Sequence, residues 1–363
     1  MYTGLSALDP VVERHLQKRD AALRVVKTFA EVLATIQQPG AVVALMHEAL
    51  AHLERMQCEH PRHFAMSLSR LANALRRAGH PEQALALLRW AEARELLDQY
   101  LVDDLVRCHL ALKDLPSVEA LVTRIKALRL DPAYALASLA HAYCRNGDEP
   151  RMRVCREQAL RAGAGSDLTF MMLIDTCGRG DATVATALFN AARVRRAAGA
   201  ATYAAAAAVY ARSGLIEAAA MVFAEARERG LLSTRLCSVM VRTYAAELRL
   251  AEATRLLGEA ASGGWADARA YAAIIQAHID ASDLKAASEQ LRLARESGNA
   301  DESCFVRLIR AYVRVGHLAK ARRLFRQAKA THCAGFGARR ELARALWQGR
   351  SDATGDSRGG RLG

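Results

Sequence analysis

The stretch TYAAAAAVYARSGLIEAAAMVFAEARERG, residues 202–230, decides how the chain is read. Tyr203, Ala206, Ala207 and Tyr210 fall at i, i+3, i+4 and i+7, one face of a first helix, A. Gly214 interrupts the pattern where a left-handed C-cap is needed. Ala219, Val222, Phe223 and Ala226 then form one face of a second helix, B, and Gly230 ends it. Small Ala219 lets the two helices approach, while Phe223 and the tyrosines are left to fill space beyond the hairpin. A lone hairpin cannot bury such a stripe, so hairpins must stack.

The rest of the chain supplies the stack. Tyr203, Cys237, Tyr271 and Phe305 are each 34 residues apart. So are Tyr210, Tyr244, His278 and Tyr312, and so are Ala219, Ala253, Ala287 and Ala321. Phe223, Leu257, Leu291 and Phe325 hold the same step, as do Gly230, Gly264 and Gly298. A constant period of this size is the signature of a repeat array. Weaker copies precede it: LIDTCGRGDATVATALF (173–189), LASLAHAYCRNGDEPRM (136–152), LVRCHLALKDLPSVEALV (105–122) and a unit over 68–97 with Gly79 and Ala84. Residues 21–56 read as a further hairpin broken at Pro39-Gly40, and ARRELARALW (338–347) as a capping helix. The chain divides accordingly into an N-terminal segment (1–20), a helical hairpin (21–62), divergent repeats (63–200), four 34-residue repeats (201–334), a cap (335–349) and a polar, glycine-rich tail (350–363) expected to be disordered.

Composition narrows the class. The 363 residues are 52% hydrophobic and only 6% aromatic, with seven prolines and no sustained period-2 alternation, which points to an all-α protein. Eight cysteines are scattered without a CxxC pair, as expected of free thiols in a reducing compartment. The N-terminal stretch carries Asp9 and Glu13 and lacks a basic region followed by an apolar core, so neither an apolar-core signal peptide nor a mitochondrial presequence is expected, and a cytoplasmic location is the default. Net charge is +13, unevenly spread: residues 271–363 hold 17 Lys and Arg against 9 Asp and Glu, whereas 1–120 is near neutral. A basic half suggests a polyanionic partner.

Two repeat families use hairpins of this size. A tetratricopeptide unit needs a small residue four after its tryptophan position and a proline near its end. Here those positions hold Ala207, Val241, Ile275 and Ile309, then Leu231, Trp265 and Asn299, and the rule fails. Ala72 and Ala140 do satisfy the small-residue rule, so residues 60–165 keep a tetratricopeptide-like character. The segments TYAAAAAVYARSGLIEAAAMVFAEARERG, YAAIIQAHIDASDLKAASEQLRLARESGNAD and FVRLIRAYVRVGHLAKARRLFRQAK instead resemble pentatricopeptide repeats. The resemblance covers 201–330 and extends more loosely over 166–200. It implies a right-handed α-solenoid of antiparallel hairpins that holds single-stranded RNA along its A helices, one base per repeat.

The resemblance also nominates residues. Base readers would sit just after the first aromatic of helix A and at the close of each unit, which pairs Ala204 with Ser233, Ser238 with Asp267, and Ala272 with Asp301, with Val306 in the last unit. Only Ser238, Asp267 and Asp301 have chemistry suited to a base edge, since alanine and valine offer no donor or acceptor. The weak readers are otherwise ordinary helix-surface positions. Phosphate contacts are expected two residues before each turn, at Arg77, Lys113, Arg145, Arg179, Arg212, Ala246, Asp280 and Arg314, with Arg242 and Arg310 one turn earlier on the same face. From that set Arg145, Arg179, Arg212, Arg242, Arg310 and Arg314 are the phosphate-binding candidates; such a ladder gives affinity without sequence information. The same cations also suit a helix C-terminus for its dipole alone.

Nothing points to catalysis. His47, Glu48 and His52 in MHEALAH stand at i and i+5 rather than the i and i+4 of a zinc protease helix, and Cys58, His60 and His63 lack a fourth ligand. No Walker loop, dinucleotide GxGxxG or GxSxG motif is present. No cofactor, metal, membrane or small-molecule substrate is expected. Two functions stay open: an RNA-binding repeat protein acting post-transcriptionally through a basic groove, and a tetratricopeptide-like scaffold gripping a protein partner, including as a secreted bacterial effector.

Overall fold

The computed structural model describes residues 61–163, 165–177, 181–331, 333, 335, 337 and 340. The hairpin expected over 21–62, most of the cap over 335–349 and the tail lie outside the described residues, as do Pro39-Gly40, His47, His52, Cys58 and the 178–180 turn with Arg179. Among the described residues every regular element is an α-helix. None is long and apolar enough to cross a membrane.

The chain forms two compact units, divided between residues 164 and 165. The boundary falls inside the segment read from sequence as one run of divergent repeats. The first unit holds α1 (Pro61–Arg77), α2 (Pro81–Glu92), α3 (Gln99–Ala111), α4 (Leu115–Ala127), α5 (Ala133–Asn146) and α6 (Glu149–Arg161). The second holds α7 (Asp167–Asp175), α8 (Ala182–Val194), α9 (Ala200–Arg212), α10 (Ile216–Glu228), α11 (Thr234–Ala246), α12 (Leu250–Ser262), α13 (Ala268–Asp280), α14 (Leu284–Glu296), α15 (Glu302–Arg314) and α16 (Leu318–Ala330). Odd-numbered helices are the A helices and even-numbered ones the B helices. Within each unit an A helix packs on its own B partner and on the next A helix, so A helices line one wall and B helices the other. This is the stacked-hairpin architecture that the 34-residue period demands.

Packing follows the registers. Ala219, Ala253, Ala287 and Ala321 are all fully buried, the close-approach points of the B helices. Tyr203, Cys237, Tyr271 and Phe305 are at most 3% exposed, and burying a ring of this size contributes about 2–3 kcal/mol. Phe189 of α8 meets Tyr203 edge-on at 5.0 Å. The second tyrosine register ties hairpins together: Tyr210 bonds Thr186 at 2.9 Å and Tyr312 bonds Ser288 at 2.7 Å, each 24 residues back on the preceding B helix. Tyr143 makes the same reach to Glu119 in the first unit.

Turns and caps are equally regular. Gly230, Gly264 and Gly298 all take positive φ at the ends of B helices. Between A and B the left-handed residue is Gly214 or Gly316, but also Leu248, Ser282 and, in the first unit, Lys113. The seven cysteines among the described residues are free thiols, and burial pushes Cys108 up to about 11 and Cys304 up to about 12.

Candidate nucleic-acid interface

The A-helix wall of the second unit carries the candidate site. Its groove face is set by helical spacing. Spacing puts Arg235, Ser238, Val239 and Arg242 on one side of α11, Arg269, Ala272, Ala273 and Gln276 on the matching side of α13, and Ala201, Ala204, Ala205 and Ala208 on that of α9, though Ser238, Ala272, Ala204 and Ala205 are buried.

A cleft of about 620 Å³ opens along this wall, lined among others by Arg212, Arg242, Arg307, Glu247 and Asp280. Arg212 and Arg242 are exposed, as are Arg310 and Arg314 further along. Arg212 donates to the carbonyl of Cys177 at 3.2 Å, which anchors its stem while leaving other N–H groups of the fork available. Arg307 was not singled out from sequence. It donates to Gln276 at 2.9 Å, and Gln276 in turn donates to Asp280 at 2.7 Å, so the cation and the anion on the wall are joined through an amide. The wall is therefore mixed in charge. Asp280 stands where the ladder expected a base, and Ala246 leaves a second gap.

Arg145 is exposed at the end of α5, in the first unit. Arg179 lies outside the described residues.

The reader positions are placed differently from a surface row. Ala204 is fully buried, Ala272 is 4% exposed and Ser238 is 5% exposed. The expectation that these are helix-surface residues is corrected: neighbouring A helices pack closely enough to cover the position just after the first aromatic. Ser238 is thus held inside the wall. The closing positions are helix N-caps. Ser233 accepts from Leu236 N–H at 3.3 Å, Asp267 from Ala270 N–H at 2.8 Å and Asp301 from Cys304 N–H at 3.1 Å. Burial pushes Asp301 up, but hydrogen bonds from Ser303 and Cys304 outweigh it and hold the carboxyl below its usual range.

Where the closing residue is glycine, the cap comes from elsewhere. Gly199 begins α9 with no side chain, and Asp167 from the start of α7 accepts from Gly199 N–H at 2.9 Å, Ala201 N–H at 3.1 Å and Thr202 N–H at 2.8 Å. A Cβ at Gly199 would lie 2.6 Å from that carboxylate, so any other residue would have to displace it from this position. Gly335 has the same register, and a Cβ there would collide with the Glu302 carboxylate. An acid in the first turn of an A helix thus meets the glycine one repeat later, at Asp167 with Gly199 and at Glu302 with Gly335. The sequence signal was present: glycine at the closing register, an acid one repeat earlier.

Residues 201–231 and 303–330 match the family model of the PPR repeat. Both segments are pentatricopeptide repeats. They coincide with the hairpins α9–α10 and α15–α16, and the two hairpins between them keep the same 34-residue step. No curated protein sequence matches the chain. Among solved structures it is similar to the pentatricopeptide repeat protein PPR10 from maize, with 23% identity and a TM-score of 0.48 over 88% of this chain and 45% of that one. It is also similar to PPR10 in complex with an 18-nt psaJ RNA element, with 18% identity and a TM-score of 0.44 over 90% of this chain and 53% of that one. The chain spans about half the length of these structures. The two matching hairpins, α9–α10 and α15–α16, flank the cleft and contribute Arg212 and Arg307 to its lining.

Proposed function

We propose that the chain binds single-stranded RNA along the A-helix wall of its second unit, mainly through phosphate contacts and with weak base readout. The observation that carries this reading is the placement of exposed Arg212, Arg242, Arg310 and Arg314 on a wall bracketed by two pentatricopeptide repeats. Guanidinium forks match phosphate geometry, and a row of them neutralises successive phosphates whatever the bases are. Weak readout follows from the wall itself: Ala204 and Ala272 have no polar group, Ser238 is buried, and Asp267 and Asp301 are engaged as caps. Arg145, Arg179, Ser238, Asp267 and Asp301 stay secondary candidates, the first two for phosphate and the others for base edges.

Titration of the whole chain with labelled oligouridine at increasing salt tests the proposal. Four phosphate contacts, one for each of these arginines, predict a slope near −3 in log affinity against log salt, so affinity falls roughly 50-fold between 50 and 200 mM. Absence of binding at low salt by a folded protein, or affinity insensitive to salt, would overturn it.

A further inference from the structure

One ion pair on the groove wall joins helices that are not neighbours. Arg235 begins α11, Asp175 ends α7, and α9 lies between them in the stack. The Arg235 Nη2 donates to both oxygens of Asp175, at 2.7 and 2.8 Å, across 60 residues of chain. Two A helices on either side of a third can meet only over its groove face. The pair therefore crosses the wall above α9.

What lies beneath explains why it can form. Ala204 and Ala205 are fully buried, and nothing longer than a methyl group stands between α7 and α11 there. The Asp175 side chain is 16% exposed and the Arg235 side chain 43% exposed, so the arginine side chain stays open to solvent while its partner is largely enclosed. A carboxylate held by a guanidinium occupies the position that a phosphate would take, since both anions accept from the same donors. Asp175 also holds the register at which Arg242 and Arg310 carry positive charge in later repeats.

We propose that Asp175 is an internal competitor for phosphate at Arg235, and that this pair decides whether the wall over the first turns of α9, before Arg212, takes part in binding. This rests on the RNA reading above and refines it. With the pair closed, the strand contacts the wall from Arg212 at the end of α9 onward, and the earlier turns of α9 stay silent. With Asp175 removed, Arg235 gains a phosphate and the bound segment of RNA lengthens toward α7. Asp175 and Arg235 act as positioning residues for the strand, distinct from the arginines that hold it in the intact protein.

The test is a double-mutant cycle on the full chain, titrated with labelled oligouridine at several salt concentrations. Asp175→Asn is expected to tighten binding roughly three- to tenfold and to steepen the salt slope by about 0.7, one extra phosphate on a single strand. The gain should vanish when Arg235→Ala is also present. Asp175→Ser is the second variant should the asparagine form lose its helical circular dichroism, and the same gain is expected of it. Unchanged or weaker binding by these variants, with the wild type still binding, overturns the competitor while leaving the RNA reading intact. A gain that persists without Arg235 also overturns it, because loss of a negative charge alone would then explain the effect. Absence of binding by the folded wild type overturns this inference together with the reading it rests on.

Discussion

Leu248 sits in the left-handed region at φ 57° with its side chain largely in water. Its register mates Gly214 and Gly316 take the same turn at φ 76° and 81°. A non-glycine residue there costs roughly 1–2 kcal/mol, and glycine costs roughly 0.5–1 kcal/mol in chain entropy. Leu248→Gly is therefore expected to stabilise the protein by up to about 1 kcal/mol, and Gly214→Ala to destabilise it by about as much, read as shifts in urea midpoint at constant m value. The glycine-marked turns were legible in the sequence because glycine announces left-handed backbone. Leu248, Ser282 and Lys113 were not: the stacked helices on either side fix the turn, and the residue accepts the strain.

Element ends and faces divide in the same way. Helix A and helix B were legible wherever apolar residues recur at helical spacing, which covers α9 to α16. The burial of Ala204, Ser238 and Ala272 was not, because the spacing within one helix does not report how closely the next A helix packs. The Asp167 cap of α9 was also missed, since it joins residues 32 to 35 positions apart. In the first unit, α3 holds an acid whose environment has a measurable consequence. Burial lifts Asp103 to about 6, against a hydrogen bond from Gln99 and the charge of Arg107, which lower it. A raised folded value means the native state binds the extra proton. The contribution of Asp103 to stability is thus fully present below about 4 and is lost as pH rises through about 6. Asp103→Asn should flatten this part of the stability profile, measured by urea unfolding of the whole chain between pH 4 and 7, and should raise stability at pH 7.

At the scale of the molecule, the array was legible as a period and its charge as a gradient along the chain, without the surface that carries it. The sequence places a basic excess toward the C-terminus, but its largest share lies on a surface the resemblance did not nominate. α16 exposes Lys320, Arg322, Arg323, Arg326 and Lys329 and contains no acid, whereas arginines of the earlier B helices pair with Glu259, Glu289 and Glu296. Net charge alone would let RNA settle on either wall. The proposed mode of binding places it on the A-helix wall, where Arg212, Arg242, Arg310 and Arg314 follow the stack. The most direct measurement compares two charge reversals of equal size in RNA affinity: Arg212→Glu, Arg310→Glu and Arg314→Glu on the A wall, against Arg322→Glu, Arg323→Glu and Arg326→Glu on α16. With helical content unchanged in both, the A-wall triple should lose binding and the α16 triple should lose at most a few-fold through long-range attraction. Equal losses, or a larger loss from α16, would contradict a phosphate-binding groove on the A helices.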